Sequence, residues 1–146
     1  MQIESQVVAL GHVIQLAVAP VFLLTGVSGL LGVLTNRLAR IIDRARHLED
    51  QVERVDAVHQ DRIHGELRLL SQRARLINSA VSLCTMCALL ICAVIVALFV
   101  GAFLVTDLSV PIGLIFTAAM LALFSGLVSF LREIYVATRS LRIGPH

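Results

Sequence analysis

Hydrophobic residues are concentrated in three long runs of this 146-residue chain. Residues 7–35, 79–106 and 108–131 contain no Asp, Glu, Lys or Arg. A helix needs about 20 apolar residues to cross a hydrocarbon core about 30 Å thick, and each run reaches that length. The pattern predicts an all-α integral membrane protein with three transmembrane helices. The hydrophobic fraction of 58% agrees with this class, because it exceeds that of ordinary soluble domains.

The polar segment between the first two runs has a helical pattern of its own. Its apolar residues recur at alternating intervals of three and four, which is typical of helices that pack along a seam. One seam consists of Leu38, Ile41, Ala45, Leu48, Val52 and Val55, and the other of Ile63, Leu67, Leu70, Ala74, Ile77 and Val81. Two such helices, joined near residues 56–62, predict an antiparallel coiled-coil hairpin. Asp61 is a candidate N-cap for its second arm.

The chain is predicted to form a single domain over residues 1–146. Because no proline lies between residues 21 and 110, the hairpin arms should continue from the first span and into the second. A cleaved signal peptide is the alternative for the first run, but no basic residue precedes that run and it is unusually long for one. The predicted segments are a first span at about 7–35, a hairpin at about 36–78, a second span at about 79–106, a third span at about 111–131 and a tail at 132–146.

The basic residues are distributed unevenly, which predicts the orientation. All 12 are arginines, and nine of them lie within the hairpin segment. The segment before the first run carries only Glu4, and the link between the second and third runs carries only Asp107. Arginine-rich loops stay in the cytoplasm. We therefore expect the hairpin and the C-terminus to be cytoplasmic and the N-terminus to lie outside.

Charge within the hairpin is sorted along its length. Residues 36–48 and 67–78, here called the arginine collar, contain seven arginines and one acid, Asp43. Residues 49–66, the tip, contain two arginines and six acids. The collar should attract anionic lipid headgroups, or its arginines serve only to fix the orientation. Its site candidates are Arg37, Arg40, Arg44, Arg73 and Arg75.

Asp43 is the candidate counter-charge of the arginine collar. With a turn near residue 59, antiparallel pairing places Asp43 opposite Arg73 and Arg75. A carboxylate among guanidiniums favours bidentate hydrogen bonds. We interpret Asp43 as an ion-pair clamp that fixes the register of the hairpin, with a ligand or ion site as the alternative.

Small residues mark two of the spans. The first span has Gly26, Gly29 and Gly32 at intervals of three, and Pro20 should kink it. In the same span, residues at alternating intervals of four and three form a stripe, namely Gln15, Ala19, Phe22, Gly26 and Gly29. The third span has a similar stripe of Ala118, Ala122 and Gly126. Small residues let helices approach closely in lipid, so both stripes are interpreted as packing surfaces rather than pore linings.

No pattern in the sequence indicates catalysis. Cys84 and Cys87 form a C-x-x-C motif, but no second Cys/His pair accompanies it, so all three cysteines, including Cys92, are interpreted as small buried residues. The five histidines are scattered. The basic residues cluster at the expected bilayer surface and aromatic residues are only 5%, which disfavours nucleic-acid binding. We therefore expect no enzyme, metal site or cofactor.

Four blocks of the chain resemble a family of small bacterial membrane proteins that is catalogued as domain of unknown function 2721. The blocks are residues 15–26 (QLAVAPVFLLTG), 34–46 (LTNRLARIIDRAR), 73–78 (RARLIN) and 130–134 (FLREI). The resemblance implies a protein of the bacterial cytoplasmic membrane and brings no known activity. The family pattern includes Pro20, Asn36, Arg37, Arg40, Asp43, Arg44, Asn78, Arg132 and Glu133 of this sequence.

The predicted topology is also similar to that of the TolQ/ExbB-type proton-channel subunits, which assemble as rings. This chain departs from them because none of its spans contains a carboxylate. Two function classes follow. The first is a homo-oligomeric assembly that conducts or regulates conduction, with Gln15, Thr25 and Ser28 near the permeation path. The alternative is a membrane scaffold or regulator whose acidic tip binds a cytoplasmic protein partner.

Overall fold

The computed structural model describes residues 2–52, 56–103 and 108–141. These residues form three α-helices and no strand: α1 is Gln2–Val52, α2 is Ala57–Phe103 and α3 is Ser109–Leu141. Each helix contains a stretch that is long and apolar enough to cross a membrane. The prediction of an all-helical membrane protein with three candidate spans is therefore confirmed.

The turn between α1 and α2 lies nearer to the N-terminus than predicted. α1 ends at Val52 and α2 begins at Ala57. The carbonyl of Asp56 accepts hydrogen bonds from the backbone N–H groups of His59 (2.9 Å) and Gln60 (3.2 Å), so Asp56 immediately precedes the helix. Asp61 lies inside α2, and its predicted role as N-cap is wrong. Residues 53–55 of the tip lie outside the described residues.

α3 extends beyond the predicted third span at both ends. It begins at Ser109, so Pro111 stands in the first turn, where a missing N–H costs no intrahelical bond. It ends at Leu141, so part of the predicted tail is helical. Asp107, on which the orientation argument drew, lies outside the described residues, as do residues 142–146.

One compact unit combines Met1–Leu31 with Leu83–Phe124. Its core on α2 follows intervals of three and four, as expected of packed helices. The buried side chains described in this unit are Ala17, Pro20, Val27, Cys84, Cys87, Ile91, Val94 and Ala119. Cys84 and Cys87 are therefore small core residues as predicted, whereas Cys92 is exposed and the prediction is wrong there.

The other compact unit combines Gly32–Ser82 with Ser125–His146. Residues seven apart are buried on each helix, namely Leu34, Ile41 and Leu48 on α1, Leu70 and Ile77 on α2, and Gly126 and Glu133 on α3. The two predicted hairpin seams lie in this core. All seam residues are buried or half-buried except Val55, which lies outside the described residues. The coiled-coil geometry and the cytoplasmic position of the hairpin stay predictions.

Candidate functional site

A buried carboxylate holds two arginines at the base of the hairpin. Arg37 Nη1 of α1 donates a hydrogen bond to Glu133 Oε2 of α3 at 3.0 Å. Arg73 of α2 donates from Nε and Nη2 to Glu133 Oε1, at 3.1 and 2.9 Å. The Glu133 side chain is 0% exposed, against 36% for Arg37 and 24% for Arg73. These three side chains, here called the ion cluster, join three helices within one compact unit.

The helical periodicity explains why these residues meet. Glu133 lies seven residues after the buried Gly126, so it occupies the line along which α3 is buried. Arg37 follows the buried Leu34 by three residues, and Arg73 follows Leu70 by three. Residues three apart share a helix face. Each arginine therefore lies beside the buried line of its own helix.

The two arginines also lie level with each other in the antiparallel pair. The midpoint between residues 37 and 73 is residue 55, and the same midpoint separates Arg44 and Glu66, which form another ion pair. This midpoint falls between the end of α1 at Val52 and the start of α2 at Ala57. One register thus accounts for both contacts between the arms.

An aromatic ring orients Arg37 further. The guanidinium carbon of Arg37 lies 5.3 Å from the centre of the Phe130 ring, which is the distance of a cation–π contact. Phe130 precedes Glu133 by three residues, so one face of α3 supplies both the ring and the carboxylate. Phe130 is not among the site residues predicted from the sequence. Its spacing from Glu133 was the available signal.

The electrostatics of the ion cluster are asymmetric. One carboxylate faces two guanidiniums, so the three charges sum to +1. Both carboxylate oxygens accept hydrogen bonds from arginine, and this compensates the large desolvation cost of a fully buried charge. The positive excess lies on side chains that remain partly exposed. The cluster can therefore hold three helices together and still offer positive charge at its surface.

The predicted clamp at Asp43 is wrong in this structure. Asp43 is exposed, and it forms no ion pair with any residue that the structure describes. Its expected partner Arg73 binds Glu133 instead. The reason is the register: in the pairing that Arg44 and Glu66 define, Asp43 lies level with Leu67. Arg75 is eight residues further along α2, about 12 Å at 1.5 Å per residue.

Arg44 has a partner of a different kind. It donates from Nε (3.3 Å) and Nη2 (3.0 Å) to Glu66 Oε1 across the two arms. Both side chains are substantially exposed, so this pair contributes little to stability. It is the exposed counterpart of the ion cluster within the same hairpin.

The other polar candidates around the ion cluster are exposed. They form no ion pair or side-chain hydrogen bond within the described ranges, and they comprise Asn36, Arg40, Arg75, Asn78 and Arg132. Of the candidates in the collar and on α3, the structure therefore brings together Arg37, Arg73 and Glu133, and separately pairs Arg44 with Glu66.

The glycine stripe of α1 points away from the described core. Gly26, Gly29 and Gly32 are exposed, and a Cβ added at any of them would meet nothing within 4 Å. The stripe does not pack against the described residues of this chain. Its predicted role as a packing surface stays a prediction.

Polar side chains of the first span differ in their hydrogen bonds. The hydroxyls of Thr25 and Ser28 donate to the carbonyls of Val21 (3.3 Å) and Leu24 (2.9 Å) in their own helix. Gln15 is exposed and forms no side-chain hydrogen bond with the described residues. The two hydroxyls are therefore satisfied locally, whereas the amide is not.

Pro20 is buried, and α1 continues through it. It lines an apolar cavity of about 660 Å³ together with Leu16 of α1, Leu98 of α2 and Ile112 of α3. Proline has no N–H to donate to the carbonyl four residues before it. The kink expected from this missing bond stays a prediction.

The small-residue stripe of α3 is rotated from its predicted position. Gly126 is buried as expected, but Ala118 is exposed and Ala122 only half-buried. Ala119 is fully buried instead. The buried residues of α3 are seven apart, at positions 119, 126 and 133, whereas the predicted stripe used residues four apart.

Among the described residues, no group of three or more His, Cys, Asp or Glu side chains is placed to hold a metal ion.

Comparison with curated proteins and with solved structures finds no match. The likeness to TolQ/ExbB-type subunits therefore stays a similarity of predicted topology. A family model described as "Protein of unknown function (DUF2721)" matches residues 17–143, a range that includes most of α1, all of α2 and α3, and the ion cluster. The chain thus belongs to this family of proteins of unknown function.

Proposed function

We propose that the protein is a self-associating membrane scaffold of the bacterial cytoplasmic membrane, without catalytic activity, that presents a helical hairpin to a cytoplasmic protein partner. The observation that carries the proposal is the ion cluster. Glu133 is fully buried and ties both hairpin arms to α3. A buried charge of this kind contributes little net stability but favours one arrangement of the helices that it joins. A defined hairpin is what a docking element requires.

The surface of the hairpin supports a docking role. Its apolar seams are turned inwards, and the described acids of the tip, Glu49, Asp50, Asp56, Asp61 and Glu66, are exposed. Only Glu66 among these acids forms an ion pair within the described residues. The exposed acids favour a partner with a basic surface, because complementary charge speeds encounter and excludes unsuited partners.

Self-association is supported by the outer face of α1. Gln15, Ala19, Phe22, Gly26 and Gly29 are all exposed along one stripe. Only 11% of the most apolar window of α1 is buried within the described chain. Backbones approach closely at small residues in lipid, and an amide gains a hydrogen-bond partner when helices associate. We propose this stripe as the contact between copies.

Conduction by the assembly is the second candidate, and Gln15 is the observation that favours it. Its unsatisfied amide could line a wetted axis between copies. Thr25 and Ser28 add little to such a path, because their hydroxyls already donate to their own helix. If a path exists, the arginines at its cytoplasmic mouth should make it prefer anions. Arg40→Glu should then weaken the preference without disturbing an ion pair.

A pair of measurements on the full chain separates these candidates. A photo-crosslinking residue in place of Asp50 or Asp61 should give one discrete protein adduct in cells. A crosslinking residue in place of the neighbouring exposed Glu49 should give the same adduct, and Asp50→Arg together with Asp61→Arg should abolish it. Purified protein in lipid vesicles should show no ion flux. Flux that reverses its selectivity with Arg40→Glu would establish conduction and refute the scaffold. Absence of any adduct together with absence of flux would refute both candidates.

A further inference from the structure

The ion cluster has more hydrogen-bond donors than its carboxylate can use. An arginine carries five N–H donors. Within the described residues Arg37 gives one to Glu133 and Arg73 gives two. No buried side-chain nitrogen or oxygen in the described part of the chain lacks a partner. The nitrogens without a partner there, namely Nε and Nη2 of Arg37 and Nη1 of Arg73, are therefore not buried, and they form the exposed edges of the two guanidiniums.

Those edges are held in place before any ligand arrives. Glu133 fixes both arginines from the buried side, and the Phe130 ring lies against Arg37. Preorganised groups lose less conformational entropy when they bind. The planar fork of arginine matches the geometry of phosphate oxygens, with two parallel N–H···O bonds. The surplus charge of +1 also favours an anion at this surface.

The position of the ion cluster along the helices indicates the source of the phosphate. The apolar runs end at Thr35 on α1 and at Leu131 on α3, two residues before Arg37 and Glu133. At 1.5 Å per residue this separation is about 3 Å. The headgroup layer on each side of the hydrocarbon core is about 5–7 Å thick. The cluster therefore belongs at headgroup level in a membrane.

Exposed apolar side chains lie on the membrane side of the ion cluster. Val33, one helical turn before Arg37, is 51% exposed, and Leu131, next to Arg132, is 61% exposed. A soluble anion would gain no favourable contact from these apolar side chains. The acyl chains of a lipid would cover them while its phosphate contacts the guanidiniums.

We infer that the exposed edges of Arg37 and Arg73 form a binding site for the phosphate of an anionic phospholipid. Glu133 does not touch the lipid in this site but positions the two arginines. The inference rests on the membrane placement used in the proposed function, and it does not depend on the scaffold role. It goes beyond a general attraction of the arginine collar because it assigns the binding to two particular side chains.

The test is retention of lipid by the purified full-length protein. Protein in detergent is mixed with equal amounts of phosphatidylglycerol and phosphatidylcholine, and the bound lipids are counted by native mass spectrometry. Arg37→Lys keeps the positive charge but loses the planar fork of N–H donors. We expect it to weaken phosphatidylglycerol binding about tenfold, equivalent to ~1.4 kcal/mol. Arg73→Lys should act similarly.

Arg40→Lys is the matched control, because Arg40 is exposed, lies one turn from Arg37 and has no ion pair among the described residues. It should retain phosphatidylglycerol as the unsubstituted protein does. Far-ultraviolet circular dichroism confirms that each variant is folded, and if Arg37→Lys is not, Arg73→Lys carries the test.

Three results would overturn the inference. Equal losses with Arg37→Lys and Arg40→Lys would show only diffuse attraction to the collar. Equal retention of both lipids would show no site for an anionic headgroup. Displacement of phosphatidylglycerol by an equimolar amount of glycerol 3-phosphate would identify a site for soluble phosphate esters instead. These results leave the crosslinking and flux measurements unaffected, so failure of the lipid site is distinguishable from failure of the scaffold.

Discussion

The ion cluster predicts a large difference between two chemically identical substitutions. Glu133→Gln removes the negative charge from between Arg37 and Arg73 and keeps the size and one acceptor oxygen of the side chain. Glu66→Gln does the same to the partner of Arg44. Glu133 is fully buried, whereas 45% of the Glu66 side chain is exposed. Burial is therefore the main variable between the two variants.

The expected magnitudes follow from that difference. Removing one partner of a buried ion pair costs about 3–5 kcal/mol, because the remaining charge is left uncompensated. Arg37 and Arg73 are partly exposed and can turn towards water or headgroups, so we expect about 2–3 kcal/mol for Glu133→Gln after this relief. An exposed pair contributes about 0.2–1 kcal/mol, which sets the expectation for Glu66→Gln.

The measurement is the free energy of unfolding in bicelles, obtained by steric trapping with one tag on α1 and one on α3. A double-mutant cycle of Glu133→Gln with Arg73→Gln then isolates the coupling between these two side chains. The reasoning is refuted if Glu133→Gln and Glu66→Gln destabilise the protein equally. It is also refuted if the cycle shows no coupling, because the two direct hydrogen bonds from Arg73 would then be irrelevant to stability.

Three further predictions concern the other candidates. Asp43→Asn should change the free energy of unfolding by less than about 0.5 kcal/mol, as surface substitutions do, and a larger loss in the same assay would restore the clamp. Gly29→Leu should lower the mass of the assembly in mass photometry while leaving each chain folded, because a Cβ there meets nothing within the described chain; an unchanged mass would place the stripe against lipid. In a variant without native cysteines, Glu4→Cys should react with an impermeant thiol reagent in intact cells and His59→Cys only after lysis, and the reverse result would invert the proposed orientation.

Much of the fold was predictable because membrane spans and packed helices leave separate periodic signals. Each of the three uncharged runs lies wholly or mostly within one candidate span, and the first two spans also include a hairpin arm. The two seams predicted the inward residues of the hairpin, from Leu38 on α1 to Val81 on α2. A period of three and four depends only on helical geometry, so it holds without knowledge of which helix packs where.

The turn of the hairpin was not predictable to the same accuracy. Residues 53–62 contain no glycine or proline that would mark a turn. Polar residues are compatible with either a helix or a turn there, so a centre near residue 59 was as consistent with the pattern as one near 55. In an antiparallel pair, an error of four residues in the centre of the turn shifts the residue that faces a given position by eight. This shift led the clamp to be assigned to Asp43.

The resemblance marked Glu133 as a candidate, but its burial and its pairing with two arginines were not predicted, for a physical reason that concerns charged residues in general. Charge was used to mark where each span ends, so Glu133 was assigned to the tail and the arginines to the collar. Helical periodicity continues through such boundaries: the line of Ala119 and Gly126 reaches Glu133. Arg73 likewise lies three residues after Leu70 and four before Ile77, and Arg37 has the same spacing from Leu34 and Ile41. A charged residue that keeps the apolar period of its helix is expected to face a neighbouring helix and not solvent. Where oppositely charged residues on different helices keep this period and lie at the same level, they are expected to pair with each other. Such pairs should be considered before pairs within one hairpin.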